Sequence, residues 1–192
     1  MKRNPAWAEL IQLVPVVVLA CSFLVTGDVD LARAGPLFAV AAALTVPITA
    51  GVLARGYAPN PILVGAALWL WLGAIAFEVP VPTVAAWLGE TRATGLFAAA
   101  LAVGLVATAG SPGGYVGLAH PDRSWVLRAS LALLALTVAA VAWSWMFRSN
   151  LRLGGGLPFI VVNVARRLAV ARAPDAGSGG PFGEPRSPGL DL

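Results

Sequence analysis

Charge is what this sequence has least of. Asp, Glu, Lys and Arg together make up 11% of its 192 residues, against roughly 25% in a soluble domain. That deficit excludes an ordinary soluble domain and a disordered chain. There is one cysteine, which excludes a disulfide framework, a CxxC redox pair and a thiolate zinc site. There is one histidine, which excludes a His-rich metal site. No metal or other cofactor is therefore expected. Lysine is confined to Lys2, and all other basic residues are arginine.

Apolar residues fill the space that charge leaves: 58% of the chain is hydrophobic, and its mean hydropathy is +0.81. The formal net charge of +4 would raise nucleic acid as a partner of a soluble protein. Here Lys2 and Arg3 precede the first apolar run, and Arg148, Arg152, Arg166, Arg167 and Arg172 follow the last long one. Orientation signals and headgroup contacts have that distribution. The expected partner is the lipid bilayer, not nucleic acid.

Five runs approach the roughly 20 apolar residues that cross a bilayer: 10–26, 36–54, 61–79, 94–109 and 125–147. They are apolar on every face, as in LFAAALAVGLVATAG and LALLALTVAAVAW. The alternation of a barrel strand is missing, and in lipid only a helix satisfies such a backbone locally. The fold class predicted is all-α: a polytopic bundle over 1–153 with about five transmembrane helices. The connection between runs three and four contains TVAAWLGE, which predicts one or two interfacial turns. GSPGGYVGLAHPDRS, between runs four and five, is too apolar for a solvated turn; it either lies along the headgroups or dips back into the protein.

After Phe147 the character changes. Gly154, Gly155 and Gly156 break a helix, and Pro158 starts another. On that helix Asn163, Arg166 and Arg167 share one face while Val161, Val164 and Leu168 share the other. Two arginines in a run too short to span predict an amphipathic interfacial helix over 154–172, with Arg166, Arg167 and Arg172 on headgroups or on a partner's acidic surface. The tail 173–192, rich in Gly and Pro, is expected to be disordered.

Two orientation signals conflict. With five crossings, the termini lie on opposite sides. The arginines from Arg148 onward then favour a cytoplasmic C-terminus in the cell membrane, whereas Lys2 and Arg3 favour keeping the N-terminus there as well. An even number of crossings would satisfy both, but the sequence offers no sixth run, and the expectation is five helices with a cytoplasmic C-terminus. Val18-Leu19-Ala20-Cys21 resembles a lipoprotein signal, but Leu19 is large for a cleavage site and the apolar run continues past Cys21.

Few residues have the chemistry of a site. Glu78, in AFEVPVP, is the one acidic residue ending a span, where ionisable groups often mark a transport path; with Thr49 it forms the candidate polar site. His120 has no second ligand near it in the sequence. Neither Ser111 nor Ser124 lies in a nucleophile motif. Ala100, Gly104 and Thr108 recur every four residues and predict a close helix-packing ridge. Trp69 and Trp71 fall mid-span, two apart, and predict one ring facing the bundle and one facing lipid. The expectation is a non-enzymatic accessory subunit, assembly factor or scaffold, in a larger membrane complex or with copies of itself. The alternative is a small-solute transporter or channel subunit built on Glu78 and the threonines. An intramembrane enzyme would need paired acidic, His or Ser residues at depth, and the sequence offers none.

Overall fold

A computed structural model describes residues 5–26, 31–79, 82–150 and 152–174. Every regular element among them is helical: α1 Ala6–Thr26, α2 Leu31–Ala54, α3 Pro61–Glu78, α4 Pro82–Thr91, α5 Ala93–Gly110, α6 Arg123–Met146, a π-helical turn Arg152–Gly156, and α7 Leu157–Ala171. Lys2, Arg3, the GDVD connection and the tail from 175 onward lie outside the described residues.

Local chemistry starts the helices. Asn60 accepts from the Ile62 amide at 3.1 Å with Pro61 at the first position, where its missing N–H is not needed. Asp122 accepts from the Ser124 and Trp125 amides at 2.9 and 3.1 Å, and the Ser124 hydroxyl holds its carboxyl below the usual range. Run two begins earlier than expected, at Leu31. Leu-Ala-Arg-Ala is good helix-forming sequence, and Pro36, one turn in, removes one hydrogen bond without ending the helix.

Successive long helices run antiparallel. Phe38 of α2 packs on Trp69 and Phe77 of α3. Gly65 and Gly95 match α3 to α5: a Cβ on Gly65 would sit 2.7 Å from the Ala100 nitrogen, and one on Gly95 2.7 Å from Trp69 Nε1. Thr94 of α5 donates to Ser144 of α6 at 3.1 Å. One end of the bundle, here the near end, therefore carries the start of α1, the 55–60 connection and the loop 111–122. The far end carries α4, the residues 147–150 after α6 and the start of the π turn.

The expected interfacial helix is placed differently. It does not lie across the end of the bundle; it returns along α6. Trp143 Nε1 donates to Leu153 O at 2.9 Å near the start of the segment, and Arg166 Nε donates to Val116 O at 2.9 Å near its end. The glycines do not interrupt the chain: they form a π turn that runs directly into α7. With those five residues included, 152–171 is long and apolar enough to cross a membrane. Five segments meet that standard: 34–54, 61–78, 93–110, 123–146 and 152–171. The number agrees with the sequence expectation but the membership does not, since the apolar part of α1 is the shorter Trp7–Ser22. The turns in TVAAWLGE are present as α4.

α6 carries a hydroxyl seam at heptad spacing. Ser130, Thr137 and Ser144 are all fully buried. The loop 111–122 folds back to meet the first two. Ser130 Oγ accepts from the Tyr115 amide at 2.9 Å, and the Tyr115 hydroxyl lies 3.2 Å from Thr137 Oγ1. At 1.5 Å per residue, Ser130 is about 10 Å below the start of α6 and Thr137 about 20 Å. The loop thus folds back into the bundle against α6. Gly114 makes this possible: its φ is +56°, and a Cβ there would overlap Ser130 Oγ. Buried non-helical backbone needs internal partners, and Ser130 of the seam supplies one to the Tyr115 and Val116 amides.

Candidate functional site

Polar residues at the near end converge on a single cluster from α1, α3, α7 and the loop 111–122. Its centre is Arg166, 2% exposed. Arg166 Nη1 lies 2.7 Å from Glu9 Oε1, while its Nε bonds the Val116 carbonyl. The second carboxylate oxygen of Glu9 meets Arg167 Nε at 3.1 Å. Glu9 therefore neutralises one buried and one half-exposed guanidinium from the first turn of α1. One turn further, Gln12 Oε1 accepts from the Asn60 amide at 3.0 Å and its Nε2 donates to Ala8 O at 2.7 Å. Asn60 Nδ2 lies 3.5 Å from Asn163 Oδ1, and Asn163 Nδ2 donates to Phe159 O at 2.9 Å. The first, third and last helices are bound together by side chains that apolar packing alone would not bring into register.

The charge arrangement decides what the cluster does. A buried ion pair loses hydration that its Coulomb attraction barely repays, but removing one partner leaves an uncompensated buried charge. Arg166 therefore fixes the position of α7, and its extra bond to Val116 fixes the loop to the same point. Around the cluster, Tyr57 and Arg55 pack on Trp7, the guanidinium 5.5 Å from the ring. His120 Nδ1 accepts from the Asp122 amide at 3.0 Å, so Nε2 carries the proton and donates to Pro174 O at 2.8 Å. The histidine thereby ties the loop to the chain leaving α7.

The other candidate residues are dispersed. Glu78 is exposed at the end of α3, beside Gly35 at the start of α2. Thr49 is half-buried on α2, 14 residues beyond Gly35 and so about 20 Å away along the helix. The two do not meet. Thr45 accepts from Trp71 Nε1 at 3.2 Å and donates to Ala42 O at 2.6 Å. Arg172 is exposed at the end of α7. The small-residue ridge on α5 divides: Ala100 faces Gly65 of α3, Gly104 faces the Tyr115 ring and Leu134, and Thr108 bonds its own helix at Gly104 O. α5 packs between α3 and α6, and α3 is the more buried of the two central helices. Trp69 is buried and Trp71 is 41% exposed, on opposite faces as their spacing requires.

Glu9, Gln12 and Asn60 were not singled out from the sequence. A signal for Glu9 exists: one acidic residue opens α1 and two arginines close α7, which is a complementary set once the last helix is counted as a return pass. Among the described residues no group of His, Cys, Asp and Glu is placed to hold a metal ion. No family model, no curated protein and no solved structure matches this chain.

Proposed function

We propose that this chain is a non-catalytic integral membrane protein: an accessory subunit, assembly factor or scaffold that works in a larger complex or with copies of itself. The observation that carries this reading is where the interior polar groups go. Glu9 with Arg166, Gln12 with Asn60, Thr94 with Ser144 and Tyr115 with Thr137 each join one element to another. Those bonds rigidify a framework. The transporter reading needs polar groups along a common path, and Glu78 and Thr49 stand well apart. Affinity purification from native membranes in mild detergent tests the proposal. The expected result is a larger membrane protein recovered in fixed stoichiometry. Recovery of the chain without other proteins, together with loss of phenotype in Glu78→Gln and Thr49→Val, would favour transport instead.

We further infer a multi-pass cell-membrane protein with six crossings, α1, α2, α3, α5, α6 and 152–171, and both ends of the chain in the cytoplasm. This resolves the conflict between the two orientation signals. Arg55, Arg123, Arg128, Arg166, Arg167 and Arg172 fall at the near end, and Lys2 and Arg3 precede α1. Only Arg33, Arg92, Arg148 and Arg152 belong to the far end. The excess of basic residues marks the cytoplasmic side. In a Cys21→Ser background, Ser149→Cys is expected to react with an impermeant maleimide on intact cells, and Arg55→Cys only after permeabilisation. The reverse labelling would invert the orientation.

A further inference from the structure

We propose that Arg92 is a two-position hinge: α4 is bent away from α5 in this structure, and a second position joins the two into one continuous helix over 82–110. Arg92 has φ +47° and ψ −124°, and it is the one non-glycine with positive φ among the described residues. An L side chain at positive φ is strained. Such strain persists only where the surroundings over-determine it, and it collects in switch regions. The bend is held by Arg92 Nη1, which donates to Arg148 O at 3.3 Å beyond the end of α6, and by the burial of Leu88 and Thr91 on the inner side of α4. Two polar demands go unmet beside it. No side chain caps α5, whose first amides would pair with the last carbonyls of α4 in a continuous helix. Trp69 Nε1 is buried without an acceptor, next to Gly95 in the first turn of α5 and near Thr91.

The straight position needs little rearrangement. The Arg92 amide already donates to Leu88 O at 2.8 Å in the helical pattern. Turning the Arg92 backbone to the α region completes the ladder, with Ala93, Thr94 and Gly95 donating to Gly89, Glu90 and Thr91. The antiparallel register of Gly65 against Ala100 then sets Pro82 about 8 Å beyond the level of Glu78. Across an interaxial distance of about 9 Å the gap is about 12 Å, within the roughly 13 Å that four residue steps span. Val84, Leu88, Thr91 and Gly95 fall on one face at helical spacing. The side of α4 that is now buried therefore stays towards α3, and Thr91 offers the Trp69 indole an acceptor. Straightening takes the Arg92 side chain off Arg148 O and carries α4 about 15 Å past the end of α6. One backbone change so couples the far-end surface to the residues that lead into the π turn and α7.

Spin-label distances in the full chain test the hinge. In a Cys21→Ser background the labels go on Thr83→Cys of α4 and Leu127→Cys near the start of α6, both exposed positions. The straight position sets them about 42 Å apart along the bundle, and the bent position draws them closer. Arg92→Gly removes the cost of positive φ and weakens a continuous helix, so it should show the short distance alone. Arg92→Ala keeps that cost, favours the helix and loses the bond to Arg148 O. Its ratio of straight to bent should exceed that of Arg92→Gly at least about tenfold. Arg92 is exposed, so neither substitution empties the core, and circular dichroism should show both variants as helical as the wild type. The same distance distribution in the two variants overturns the proposal, and so does the longer distance in Arg92→Gly.

Discussion

Glu9→Ala is expected to destabilise the bundle by about 3–5 kcal/mol, the cost of leaving a buried charge without its partner. The charge concerned is Arg166, 2% exposed and 2.7 Å from the carboxylate. Loss of Arg167's contact adds little, because that side chain is 44% exposed and a solvated pair contributes at most about 1 kcal/mol. A lower melting temperature in detergent is the readout. The decisive comparison is the double variant Glu9→Leu/Arg166→Met. Replacing a buried pair by apolar residues of similar volume is often neutral or stabilising, so the double variant should melt well above Glu9→Ala. If the two melt together, the ion pair is not what fixes α7.

Gly65→Ala is expected to cost about 1–3 kcal/mol through overpacking. The new methyl would overlap the Ala100 backbone, with the amide nitrogen at 2.7 Å. A side chain can rotate away from such a clash; a helix backbone cannot, so α3 and α5 must separate. Ala100→Gly cannot relieve it, because the obstacle is main chain. Gly51→Ala is the control. Its Cβ would meet only the end of the Arg55 side chain, at 3.5 Å, and no loss is expected. Thermal melting of the two alanine variants side by side checks the order.

The helical class and five apolar runs were legible because composition and run length are local properties. So was the part of Trp69 and Trp71, whose opposite faces follow from helical geometry. The return of α7 was not legible. Its two arginines read as a polar face because their compensation comes from Glu9, which sequence distance hides. The glycine triplet read as a break because a π turn uses the same residues without stopping the chain. The loop 111–122 showed its ambiguity openly: its apolar character was visible, but the hydroxyls that receive it lie on α6, and nothing local marks Ser130 and Thr137 as partners of Tyr115. Glu78 drew attention through its residue type. Depth and neighbours decide such a residue's role, and both are tertiary facts.

The Glu9–Arg166 contact spans 157 positions of sequence, and that separation sets an order of events during synthesis. Translation at about 5–20 residues per second leaves α1 without its counter-ion for roughly 8–30 s, until the final helix emerges. In that interval the carboxylate of Glu9 can stay at the water boundary or borrow a cation from another protein. The newborn chain is therefore an open arc in which α1 waits for α7, and any insertion factor that shields α1 must let go when α7 arrives.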